Sequence, residues 1–145
     1  MRLQSLVLAA LFLTSIGFSV VPALAQINLP GDPVELTQEL KSVVGSADRE
    51  LFQGLSITYT DQLRAALIKK IDGVIMMFEK GNFQGGYKKL DDDIAPKLNI
   101  CDTARVRALS WLSDDPALRD AVYAFADTCQ GLIELIRLAD PRPTP

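Results

Sequence analysis

The sequence predicts an all-α fold, a compact bundle of four to five amphipathic helices. Three observations carry this. Apolar side chains return at every third or fourth position in nearly every segment beyond residue 25, the period of a helix with one buried stripe. Asp32-Pro33 and Asp115-Pro116 each place a capping carboxylate before a proline, a pairing that opens helices because the missing proline N–H costs nothing in the first turn. The one β-prone stretch, Leu55 to Thr60, has no second strand to pair with and reads as a connection.

The first predicted helix follows Asp32 and Pro33, with Glu35 three residues after the cap in capping-box position. Leu36, Leu40, Val43 and Val44 share its apolar face, and Gly45 is a candidate left-handed stop. Ser46 is placed to cap a short helix ending near Gly54. The clearest helix runs from Thr60, its expected cap, to a stop at Gly81-Asn82; Leu63, Leu67, Ile71, Val74, Ile75 and Phe78 form its stripe. Asn82 caps the next, where Phe83, Tyr87, Leu90 and Ile94 face inward, and Pro96 ends it near Ala95. So short a turn sets these two helices antiparallel and adjacent. Gly85 and Gly86 each weaken the second helix by about 1 kcal/mol relative to alanine, a cost offset if they let the pair approach closely. Asp102 is the expected cap of a helix through Leu112, and Asp115 that of a final helix with Leu118, Val122, Phe125, Cys129, Leu132, Ile133 and Ile136 on its stripe.

The start of the chain has the layout of a secretory signal: Arg2, an apolar run from about Leu6 to Val21, then Pro22 and Ala23-Leu24-Ala25. The run is short of the roughly 20 apolar residues that a span needs. Residues 1–25 are therefore expected to be cleaved after Ala25, leaving a secreted, periplasmic or envelope protein with no membrane span. Residues 26–140 form a single helical domain, and 141–145 a disordered, proline-rich tail. Losing Arg2 takes the 15 basic residues to 14 against 18 acidic ones, a net charge of −4. That balance argues against nucleic acid, which requires a basic face.

Two cysteines in an exported chain predict one disulfide, Cys101 to Cys129. The chain-entropy model assigns a loop of that size about 3.6 kcal/mol. With no histidine anywhere, Ser-His-Asp and Cys-His catalysis and histidine-ligated zinc are excluded. No phosphate-binding glycine loop is present. No cofactor is expected.

The stretch "LIKKIDGVIMMFEKGNFQGGYKKLDDDI" at residues 67–94 resembles the helical hairpin of FIMAH-type domains, small modules appended to exported bacterial and archaeal proteins. The likeness rests on an apolar helix followed by Lys80-Gly81-Asn82-Phe83, and on Leu90 and Ile94. Gly85-Gly86, the three aspartates and the cysteine pair depart from it. The resemblance implies a non-catalytic accessory module and transfers no site residues.

Asp91, Asp92 and Asp93 are a candidate cation site, but successive helical residues point about 100° apart. Bracketed by core positions Leu90 and Ile94, they read better as a solvated outer arc, with Lys88 and Lys89 in range for weak pairs. Trp111, the only tryptophan, either closes one end of the core or anchors a binding surface; Arg105 and Arg107 could meet an acidic partner there. The resulting expectation is an exported, non-enzymatic protein acting through contact with a protein partner. The alternative is a bundle carrying a small apolar ligand, with Gly85-Gly86 and Met76-Met77 leaving the room; a carboxylate-only hydrolase ranks third.

Overall fold

The computed structural model describes residues 31–53, 56–99 and 109–140. The expected leader, residues 1–25, together with Cys101, Asp102, Arg105, Arg107 and residues 141–145, lies outside them. Among the described residues the chain is mostly helical, with one isolated antiparallel bridge, Phe52 with Leu112, as its sole extended pairing. The all-α expectation holds at that level.

Helix α1 spans Pro33–Ser46. The Asp32 carboxylate accepts from the Val34 N–H at 2.9 Å, as the cap-plus-proline start requires. Leu36, Leu40 and Val44 are buried. Gly45 does not end the helix; α1 runs through it and leaves at Ala47 in extended backbone. The end needs no left-handed residue because a guanidinium takes up a terminal carbonyl: Arg64 donates to Ala47 O at 2.9 Å. A 3-10 turn at Arg49–Leu51 follows, shorter than the expected helix, and Ser46 caps nothing downstream but donates back to Val43 O.

Helix α2 spans Ile57–Glu79, one turn earlier than expected. Its cap is Ser56, whose hydroxyl accepts from Tyr59 N–H at 3.2 Å. Thr60 is a buried residue inside the first turn. Residues 57–60 of the β-prone stretch are helical because a cap and a buried face outweigh β-branched propensity. At the far end Gly81 adopts φ +73°. Its N–H bonds Phe78 O, and the Asn82 N–H bonds Met77 O, the paired bonds of a Schellman stop.

Asn82 accepts from Gly85 N–H at 3.1 Å and opens α3, Phe83–Lys89. The hairpin forms as expected, and α3 packs on α2. A Cβ at Gly86 would lie 2.3 Å from the Phe78 ring, so only glycine permits this approach. Phe83 and Tyr87 flank the same ring, with centroids 5.8 and 5.1 Å away.

The chain does not stop before Pro96. It widens into a π-turn at Leu90–Ile94 and continues as α4, Ala95–Leu98. The Ala95 N–H reaches back five residues to Leu90 O. Proline clashes with the carbonyl four residues before it, and a wider turn gives that ring room.

Helix α5, Arg119–Leu138, buries Val122, Phe125, Ala126, Cys129, Leu132, Ile133 and Ile136. Asp115 caps only a turn, accepting from Ala117 N–H at 2.8 Å, and the helix begins after Leu118. Helix α1 lies against both α2 and α5, and α4 packs on α5. Among the described residues no helix is long and apolar enough to cross a membrane.

The expected disulfide is not seen. Cys129 is a free thiol, fully buried on the core stripe, and Cys101 lies outside the described residues. An even cysteine count states parity, not distance.

Candidate functional site

The three aspartates divide their work. Asp91 pairs with Arg137 of α5, which also holds Glu134 at 3.2 Å. Asp93 turns the other way, to α2: Lys70 Nζ donates to both its oxygens at 2.7 and 2.8 Å, and Lys89 Nζ reaches one at 3.2 Å. Asp92 is exposed. Residues two apart on a helix point to nearly opposite sides, so one short acidic run clips two neighbouring helices. The candidate cation site is not assembled: the carboxylates diverge, and among the described residues no three His, Cys, Asp or Glu side chains converge. The solvated-arc expectation is met by Asp92, and the expected weak pair of Asp93 with Lys89 is seen; the ties of Asp91 to Arg137 and of Asp93 to Lys70 correct it.

Electrostatics follow from these contacts. Partial burial alone would push the Asp93 carboxyl up; the hydrogen bonds and charges of Lys70 and Lys89 together outweigh it and hold the group below its usual range. The hydrogen bond to Asp91 and its charge, with help from Glu134, raise Arg137. Burial pushes the Cys129 thiol up to about 12, so at neutral pH it is not a nucleophile.

Trp111 is half-buried against the core and held by its backbone on two sides. Its N–H donates to Lys97 O at 2.9 Å, and its carbonyl accepts from Gln53 N–H at 2.8 Å. These bonds also explain why residues 110–112 are not the end of a helix, as the sequence suggested, but one side of the bridge. Two ammonium groups attend the indole: Lys97 Nζ 5.4 Å and Lys70 Nζ 6.0 Å from the ring centroid, both within cation–π range. Through Lys70 the tryptophan joins the Asp93 pairings. The Lys89 stem lies across Gly73 of α2, where a Cβ would sit 3.3 Å from its Cε.

One connected cluster thus holds Trp111, three lysines and one carboxylate. Lys97 makes no ion pair among the described residues. Sequence reasoning singled out Trp111 and Asp93 but missed Lys70 and Lys97 as their companions. Lys70 lies 23 residues from Asp93, so no local spacing announces the contact; only the Lys89 pairing, at four residues, was readable.

The room that Gly85-Gly86 could have left for a ligand is taken by Phe78 at Gly86 and by the Asn82 cap at Gly85. Met76 is exposed and Met77 half-buried. A separate cleft of about 350 Å³ lies beside the bridge, with Phe52 and Leu118 in its lining and Arg49, Ser56, Thr60 and Asp115 among its polar groups.

No family model, curated protein or solved structure matches this chain.

Proposed function

We propose that this chain is an exported helical module that works by contact with a protein partner and performs no catalysis, and that the surface around Trp111 is where it makes contact. The observation that carries the reading is the setting of Trp111. A large aromatic is fixed by backbone hydrogen bonds on both sides yet left half-buried at the surface. Rigid, partly exposed tryptophans give much contact area for little ordering entropy, which is why they dominate interface energetics. The signal-like leader supports export, with cleavage after Ala25. The resemblance of residues 67–94 to FIMAH-type hairpins supports an accessory role. The ionisable groups that the structure organises are unsuited to acid–base work: Asp93 is held deprotonated and the Cys129 thiol protonated.

The test is site-specific photo-cross-linking in exporting cells. A cross-linking residue at Leu109, exposed and two residues from Trp111, should capture one discrete protein. The same residue at Gly131, exposed on α5, should not. No adduct at Leu109, or equal labelling at both positions, contradicts the reading.

A further inference from the structure

We infer that the surface of Trp111, Lys70 and Lys97 receives an acidic segment of the partner, with a carboxylate seated on Lys97 beside the indole. This rests on the protein-contact reading and specifies the partner's chemistry. The chain as a whole is acidic, with 18 Asp and Glu against 15 Lys and Arg. Yet one cluster brings together the ammonium groups of Lys70 and Lys89 on a single carboxylate, Asp93, and those of Lys70 and Lys97 on the Trp111 ring. It carries a local surplus of positive charge. Like charges placed together in this way favour an anion.

The geometry says which lysine is open. Lys70 and Lys89 are engaged by Asp93, and Lys70 holds both carboxylate oxygens at 2.7 and 2.8 Å. That pairing shows the mode of recognition already built in. Lys97 has the indole at 5.4 Å and no carboxylate among the described residues. Its backbone carbonyl is bonded to the Trp111 N–H, so the ammonium and the ring belong to one tied unit. An incoming carboxylate would repeat at Lys97 what Asp93 does at Lys70, while the exposed part of the indole covers the neighbouring residue of the partner.

The patch is too small for the other anionic surfaces. Attraction to an acidic membrane takes clusters of about four to eight basic residues, and nucleic acid takes a basic face that tracks a backbone. Here one aspartate already takes up two of the three lysines. A segment with one or two carboxylates matches the remaining charge.

Trp111 is the only tryptophan, so its emission reports from the site itself. The experiment titrates the purified chain from Gln26 to Pro145 with a synthetic peptide of alternating Glu and Ala. Parallel titrations use a Lys-Ala peptide of equal length and vesicles of anionic phosphatidylglycerol. The expected result is a saturable change in Trp111 emission with the acidic peptide alone, weakened by salt. Lys97→Glu should weaken it roughly tenfold, a larger loss than the up to about fivefold expected from deleting one exposed ion pair, because the charge is reversed. Helical circular dichroism should be unchanged, since Lys97 makes no side-chain bond that the fold requires. Three results would overturn the inference: no response to the acidic peptide, an equal response in Lys97→Glu, or a response to vesicles in place of the peptide. The outcome is separable from the contact reading. A partner captured at Leu109 by a protein whose Trp111 ignores acidic peptides would leave the contact standing and remove the acidic chemistry.

Discussion

The two ends of the segment from α3 into the π-turn are fastened to the same neighbour, α2, by different forces. At Gly86 the fastening is shape. The missing side chain lets the Phe78 ring sit where a Cβ would be, and Phe83 and Tyr87 close around it. At Asp93 the fastening is charge, a carboxylate shared by Lys70 of α2 and Lys89 of α3. The first end is dry, and the second is about 30% exposed at each side chain. The dry end therefore builds the scaffold, while the wet end leaves charge available beside Trp111.

The shape end should be the costlier one to disturb. Phe78→Ala should cost about 3–5 kcal/mol, the usual loss for a buried aromatic, read by chemical denaturation. Gly86→Ala should come next. Forcing a methyl against a ring that is only 3% exposed costs about 1–3 kcal/mol, partly offset by about 1 kcal/mol of helix propensity. In a Phe78→Leu background that cost should shrink, because the two positions are in contact and couple.

At the charge end the expected effects are smaller and sensitive to salt. Asp93→Asn leaves two ammonium groups without their carboxylate and should cost roughly 1 kcal/mol at low ionic strength. Asp91→Asn, on a more exposed pair, should cost less. In roughly 1 M salt, where the screening length falls to about 3 Å, both differences should shrink while that of Gly86→Ala persists. Acid should act on Asp93 in the same direction. Its carboxyl titrates below the ordinary value of 3.8 in the folded chain. The stability it contributes is therefore complete above that value and is lost as pH falls through the lower folded one. Asp93→Asn should flatten that part of the acid profile. The smallest signal is chemical: the buried Cys129 thiol should resist thiol reagents at neutral pH until the chain unfolds.

The same division marks what was legible in the sequence. The apolar stripes of α1, α2 and α5, the Asp32 cap and the Gly81-Asn82 turn could be read, because each is a local pattern that acts over a few residues. Gly86 could be suspected of close approach, since glycine in a helix needs a reason. The start of α2 was misplaced because Ser56 and the packed face overrode β-prone residues. The π-turn was missed because proline is ordinarily a stop, and here a wider turn absorbs it. Trp111 could be singled out by its type. The lysines beside it could not, because Lys70 and Trp111 lie far apart along the chain and only the folding of α2 beside the bridge joins them. Whether two cysteines meet is likewise a matter of where side chains lie: no disulfide is seen at Cys129, a free and buried thiol, and Cys101 lies outside the described residues.

A contact surface at Trp111 is tested most directly by the emission of Trp111 in complex with a protein captured at Leu109, with the unaltered chain beside Lys97→Glu. Complex formation should change the spectrum, and Lys97→Glu should bind more weakly at unchanged helicity. A complex that forms with Trp111 emission unaltered, and with equal affinity for both chains, would contradict a contact surface at this tryptophan.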